Sequence, residues 1–277
     1  MPRKKTTADT LPTKNPLYVQ SLEKGFAVLH AVAQSPQPSS LTEIIERTGL
    51  EKSAAQRFAY SLVALGYLKK EESTRRYSLA IKLIDFTFSY LRSSALVAAA
   101  MPNLADASEL CRETINLIIP DGLDIVHAVR IPVRRTVLLA TLVGRRRPLH
   151  FTSGGRAIMS RLSDGEINAI LDVIPTRGIT AKTITDRQSN FDLIMEARRV
   201  GYSIAAEEAL IGEIGVSAPI VTETGRPLAA VHSSVSTATW TVERVRDELA
   251  PVIVQTARLI SAPLAKTEDA WSSGGLG

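Results

Sequence analysis

The hydrophobic positions in the first third of the chain recur at helical spacing. From Val19 they fall at Leu22, Phe26, Leu29 and Ala33, one face of an amphipathic helix. Ser35-Pro36-Gln37-Pro38 ends that helix, because proline has no N–H with which to continue the ladder. A second, short helix is predicted after Ser40. Ser40 and Glu43 have the spacing of a capping box, Ile44 and Ile45 supply apolar anchors, and Gly49 closes it. A third helix starts near Lys52 and Ser53 and ends by Gly66. Its inward set is Ala55, Phe58, Ala59 and Leu62; its outward set is Ser53, Gln56, Arg57 and Tyr60. A short helix, a glycine turn and a helix with a hydrogen-bonding outer face is the sequence form of a helix-turn-helix. Tyr67-Leu68-Lys69-Lys70 and Arg75-Arg76-Tyr77-Ser78-Leu79 then predict a basic two-stranded hairpin, the wing of a winged variant.

Residues 80–113 read as helix again, with Leu83, Phe86 and Tyr90 on one side and a break expected near Pro102. The excess apolar surface suits a dimer or domain contact as well as it suits packing within one domain. Beyond it the period changes. Strands are predicted at 115–119, 125–129 and 137–143, the first two joined by Asp121-Gly122. Helices follow at 154–162, at 164–174 behind a Ser163/Glu166 capping box, and at 189–200 closed by Gly201. Strands return at 202–206, 216–221 and 228–235, the last two joined by Thr224-Gly225, and a helix at 242–261 carries Pro251 as a kink point. The fold class is α+β, with the second half built around an antiparallel sheet. The expected organisation is a disordered basic arm at 1–16, a winged helix-turn-helix at 17–80 and a linker helix at 81–100. A larger domain follows at 101–262, then a disordered tail at 263–277.

Charge sharpens that division. The net charge of +5 is a balance of two halves. Residues 1–82 hold 13 Lys/Arg against 7 Asp/Glu, a net of +6, and residues 83–277 hold 20 against 21, a net of −1. A basic module on a near-neutral remainder points to a polyanion partner such as nucleic acid, while a solvated basic surface accounts for the same charge. The single cysteine, Cys111, excludes an internal disulfide framework and a zinc ribbon, and fits a reducing cytoplasm. No window is long and apolar enough for a membrane span, and the basic start lacks the apolar stretch of a secretory signal.

Catalytic chemistry finds little support. His30, His127, His150 and His232 are widely spaced, with no H-E-x-x-H, so no metal is expected. Neither G-x-x-x-x-G-K-[ST] nor G-x-G-x-x-G occurs, so no nucleotide cofactor is expected. A serine hydrolase would draw on Ser153 with His150 or His232, but no G-x-S-x-G elbow is present. Arg145-Arg146-Arg147 leads through a loop into a helix that starts at Gly154-Gly155. Free N–H groups at such a helix start can hold an anion, while a plain turn and a solvated basic edge account for the same residues.

Two sets of motifs, in order, carry a resemblance. Val19-Gln20-Ser21-Leu22-Glu23-Lys24, Leu41-Thr42-Glu43-Ile44, Thr48-Gly49-Leu50, Leu65-Gly66-Tyr67-Leu68 and Arg76-Tyr77 resemble the DNA-binding half of IclR-type transcriptional regulators. Pro148-Leu149-His150, Gly155-Arg156-Ala157, Thr183-Ile184-Thr185, Arg199-Val200-Gly201-Tyr202, Glu207-Glu208 and Ala218-Pro219 resemble that family's effector domain. The resemblance spans about 18–262. It implies a GAF-like effector-binding domain, a linker helix, and assembly as a homodimer or a dimer of dimers. Lys52, Ser53, Gln56, Arg57 and Tyr60 would then face the major groove, Arg57 suited to guanine and Gln56 to adenine. Arg75 and Arg76 of the wing, and the arm Arg3-Lys4-Lys5, would meet backbone or minor groove. Ala54 and Ala55 stand where relatives often carry a small hydroxyl or β-branched residue.

Carried over by position, the effector pocket would use Ser153, Gly154, Ala205, Gly215, His232 and Ser234. Members that bind small 2-oxo acids have an acidic residue, a cysteine and a serine where this chain has Ala205, Gly215 and His232. The smaller residues imply a roomier pocket and a small organic acid of aromatic size. The expected function is a ligand-responsive DNA-binding regulator of the catabolism of such an acid, without enzyme activity. A constitutive architectural DNA-binding protein with a dimerisation-only second domain is the alternative, and the serine hydrolase a more distant one.

Overall fold

The computed structural model describes residues 15–133, 143–174 and 177–264, in two compact units that divide between Ser93 and Ser94. The basic arm Arg3-Lys4-Lys5, most of the strand expected at 137–143 and the tail beyond Leu264 lie outside the described residues.

The first unit runs α1 (Gln20–Ala33), α2 (Leu41–Thr48), α3 (Lys52–Ala64), β1 (Leu68–Lys70), β2 (Tyr77–Leu79) and α4 (Leu83–Ser93). Local chemistry sets the ends of α2. Ser40 Oγ accepts the Glu43 N–H and Glu43 accepts the Ser40 N–H, the complete capping box, and Gly49 turns left-handed at φ 69°. Val28, Val32, Ile44, Ala59, Leu68 and Tyr77 form the core. Here the expected inward face of α1 is corrected. Val28, Ala31 and Val32 are buried, whereas Leu22 and Phe26 remain more than half exposed. The α1 helix is apolar on more than one side, and its packing partners, not its period, choose the buried stripe. The wing also gains a strand-like edge that periodicity does not reveal. Ser39 exchanges two 2.8 Å backbone hydrogen bonds with Tyr77. Arg75 sits in the turn at φ 55°, so the second strand begins at Tyr77.

The helix expected to break near Pro102 breaks at Ser94 instead. Ser94 is extended and its hydroxyl accepts the Val97 N–H, capping α5 (Ala95–Cys111) with Pro102 inside it. A proline in that position forfeits one ladder bond without ending the helix. No residue of α4 is buried.

The second unit continues with β3 (Ile115–Asp121), β4 (Asp124–Ile131), β5 (Arg146–Pro148), α6 (Ser153–Met159), α7 (Asp164–Val173), α8 (Arg187–Val200), β6 (Ser203–Ala206), β7 (Glu213–Val221), β8 (Pro227–Ser236), α9 (Val242–Arg244) and α10 (Ala250–Ser261). The sheet is antiparallel throughout, in the order β5-β4-β3-β8-β7-β6. Register explains its two faces. Asn116 lies opposite His232, His232 opposite Ser217, and Ser217 opposite Ser203, so small and polar residues share one face. The alternate positions Ile115, Leu117, Val231, Val216, Ala218 and Ile220 are buried on the other, where α5 and α10 pack. The segment read as a basic loop before α6 is in part the edge strand β5. The terminal helix departs from one continuous α-helix through a π-helical turn at Val245–Leu249, immediately before Pro251. The missing N–H and bulky ring of proline favour that widening.

One buried ion pair ties α6 to the β6–β7 connection. Arg156, fully buried, donates from both terminal nitrogens to Glu208 at 2.7 Å. It also donates to Asn190 Oδ1 at 3.0 Å, and Glu208 accepts the Ile184 N–H. Removing one partner strands the other charge in the interior. Glu208→Ala should therefore cost about 3–5 kcal/mol in the second unit, read by urea unfolding. A loss below about 1 kcal/mol, the value of a surface pair, would contradict this role.

Candidate functional site

The face of α3 away from Ala55 and Ala59, both fully buried, presents Ser53, Gln56, Arg57 and Tyr60 to solvent together, and Lys52 is exposed at the start of the helix. Arg75 is exposed in the wing turn. Arg76 is engaged within the unit: it donates to the Pro38 carbonyl at 2.7 Å and to Glu43 at 3.1 Å. The Glu43 carboxyl lies below the usual range, first because it accepts hydrogen bonds from Ser40, with Arg76 adding to them.

On the polar face of the sheet, the second unit holds a cavity of about 490 Å³. Ser153, Ala205, Gly215, His232 and Ser234 line it, as the carry-over expected. Gly154 does not. A Cβ there would fall 1.9 Å from Ile118 Cδ1, so Gly154 serves the close packing of α6 on β3. The neighbouring N–H of Gly155 is already taken by Thr152, whose hydroxyl caps α6. Gly215 leaves open the space where Ser153 and His232 converge. A Cβ on it would lie 2.9 Å from Ser153 Oγ and 3.4 Å from His232 Nε2. Ser153 Oγ shares a 3.0 Å hydrogen bond with Ser217 Oγ.

A relay fixes the state of His232. Asn116 Nδ2 lies 3.3 Å from the His232 carbonyl, which can only accept, so this nitrogen is the amide donor. Arg130, which can only donate, meets Asn116 Oδ1 at 3.4 Å and agrees. Nδ1 of His232, 3.2 Å from the same amide, is therefore the acceptor, and Nε2 carries its proton toward Gly215. The ring stays neutral. Burial first, then the charges of His127, Arg130 and Arg145, push it down to about 3. His127 packs edge-on with ring centroids 5.5 Å apart. Burial, then Arg145 and Arg130, lower it to about 4.

Arg130, Arg145 and Arg147 line the β4–β5 side of the cavity, against two carboxylates, Glu113 and Glu213. Trp240 Nε1 donates to Glu113 at 2.8 Å and Ser234 Oγ to Glu213 at 2.8 Å, so both acids are held by neutral donors. With neutral histidines, the lining carries one excess positive charge, suited to an anion with a hydrogen-bonding far end. Asn116, His127, Arg130, Glu113 and Glu213 were missed from the sequence. The one signal was Asn116, a polar residue inside the otherwise apolar strand Ile115-Asn116-Leu117-Ile118. Among the described residues no cluster of three His, Cys, Asp or Glu could hold a metal, and no helix is long and apolar enough to cross a membrane.

Comparison with known proteins matches residues 88–262 to the model of the bacterial transcriptional regulator IclR C-terminal domain, and residues 21–72 to that of the IclR helix-turn-helix domain. The chain belongs to the IclR family of bacterial transcriptional regulators. IclR-family relatives include the Pca regulon regulatory protein of Pseudomonas putida, 28% identical over 89% of this chain and 84% of the relative. The p-hydroxybenzoate hydroxylase transcriptional activator of Acinetobacter baylyi is 28% identical over 87% and 90%. The crystal structure of a transcriptional regulator from Rhodococcus sp. RHA1 is 32% identical, with a TM-score of 0.78 over 91% of this chain and all of the other. IclR-type proteins are regulators, not enzymes, which removes the hydrolase reading of Ser153.

In this IclR-type domain the two partly buried histidines of the cavity make stability depend on pH. Folded, both rings titrate well below 6.5, their ordinary value. As pH falls through about 6.5 toward about 3, the unfolded chain binds more protons than the folded one, so stability is lost. His232→Gln should reduce the slope of unfolding free energy against pH by up to about 1.4 kcal/mol per pH unit between about pH 6 and about pH 4. Equal slopes in variant and wild type, from urea melts, would contradict a neutral ring.

Proposed function

We propose that the chain is a cytoplasmic, homodimeric regulator that reads an operator through α3 and responds to a small aromatic acid held on the sheet face of its second unit. The observation that carries the DNA half is the common exposure of Ser53, Gln56, Arg57 and Tyr60 away from the buried Ala55 and Ala59, with Lys52 exposed at the helix start. Arg57 and Gln56 have the forked donors and acceptors that select bases, while Lys52, Ser53 and Arg75 serve phosphates. Arg76, engaged with Pro38 and Glu43, acts on DNA by holding the wing against the start of α2. Exposed Ile84, Phe86, Phe88 and Tyr90 on α4 supply apolar surface for a second copy.

The ligand half rests on the match between the cavity and a hydroxylated aromatic acid. The arginines of the β4–β5 side take the carboxylate, and His232 Nε2–H with Glu113 and Glu213 takes the hydroxyl. Ala205 and Gly215 leave room for a ring. The name of the Acinetobacter baylyi relative points to the same ligand class. Ligand binding then shifts the population between DNA-competent and incompetent states, by its differential affinity for them.

Arg57→Ala should weaken an operator selected from random duplexes by about 1–3 kcal/mol, roughly 5- to 150-fold, in a gel shift. Unchanged binding would displace α3 from the major groove. For the cavity, 4-hydroxybenzoate should raise the melting temperature of the wild type, because it binds only the native state. Arg145→Glu should abolish the rise by opposing the carboxylate. A rise that persists in the variant would sink the assignment.

A further inference from the structure

We propose that the second unit holds another binding site, at the outer edge of β7, for a small carboxylic acid with an apolar body. The site is a separate cavity of about 380 Å³. Strand lengths create it. β6 pairs only with Ile214–Ser217 of β7, so from Ala218 to Val221 the outer edge of β7 has no strand beside it among the described residues. The chain there has become the end of α8, at Gly201, and α10 closes the other side. Ala218, Pro219, Val221, Val254, Ala257 and Ala262 make the walls largely apolar.

Two arginines break that apolar lining, Arg161 and Arg258. Arg161 is half-buried, and among the described residues neither its side chain nor that of Arg258 forms a hydrogen bond or an ion pair. A guanidinium has five N–H donors, so both side chains can still donate to a molecule held in the cavity. The surroundings increase the demand for an anion. Burial lowers the Arg161 pKa first, and the positive charges of Arg198 and Arg258 add to that. Arg198 is committed elsewhere, to the carbonyls of Ser160 and Leu162 and to Asp164. Among the described residues Glu223 is the one acid on the lining, and it forms no ion pair with Arg161 or Arg258. A carboxylate fits the planar donors of Arg161, and an apolar body fits the walls that bare phosphate would leave empty.

This site is independent of the sheet-face cavity, so the two can be read separately in one titration. Methyl NMR of the full chain, with benzoate as probe, should show saturable shifts at Val254 and Ala257. Ala205 and Val235 report on the sheet-face cavity. Arg161→Gln should weaken the response at Val254 and Ala257 by about tenfold or more, and leave that at Ala205 and Val235 unchanged. If that variant does not fold, Arg258→Gln should weaken the same response. Static Val254 and Ala257 methyls in the wild type would overturn the site. An unaltered response in the folded variants would overturn the role of the arginines. Inorganic phosphate that shifts these methyls as strongly as benzoate would overturn the ligand class. Static Ala205 and Val235 alone would count only against the sheet-face reading.

Discussion

The Arg156–Glu208 pair is the constraint on which the second unit turns. Taking both charges out of water is costly, and the two-pronged contact at 2.7 Å, with Asn190 and the Ile184 N–H around it, is what makes the burial tolerable. Each end of the pair belongs to a different wall of the cavity. Arg156 lies one turn along α6 from Ser153, and Glu208 opens the segment that runs through Ala209 to Gly212 along the cavity lining. Thr180 and Thr183 hold the carbonyls of Glu207 and Glu208, so the segment before α8 is drawn into the same knot. The helix, the connection and the strand edge are positioned together or not at all.

Local rules made the element ends legible. The Ser40/Glu43 and Ser163/Glu166 capping boxes and the left-handed glycines at 49 and 201 depend on a few neighbouring residues, and each was readable as such. What depends on distant partners was not. The buried stripe of α1 is chosen by α2, α3 and the wing, so Val28, Ala31 and Val32 replaced the stripe through Leu22 and Phe26. The break before α5 is a competition between two local signals. The hydroxyl of Ser94 supplies a cap, and Pro102 costs only one bond inside the helix that results.

The cavity shows the same division. Ser153, Ala205, Gly215, His232 and Ser234 are far apart in the chain, and resemblance, not spacing, placed them together; the sheet register brings the four strand residues to one face, and the start of α6 sets Ser153 against it. Their chemistry comes from residues that neither route named. Asn116 reaches His232 through the pairing of β3 with β8, and Arg130 reaches Asn116 through that of β3 with β4, where a register shift between Leu117 and Ile118 then brings His127 to the same face. A bulge of that kind turns a strand's alternation over, and it has no reliable mark in the sequence. Gly154 can be read as part of an anion site from its place at a helix start, and it is also a glycine that the close packing of α6 on β3 requires.

Gly215 has a consequence for how such a sensor diversifies. Its contribution is an absence, and any side chain there would intrude between Ser153 and His232. If the cavity binds as proposed, such an omission would set an upper bound on ligand size without choosing among the molecules beneath it. Choice must come from additions elsewhere on the wall. A change of clientele therefore needs no new scaffold, only a few atoms gained or lost at one codon on a rigid strand.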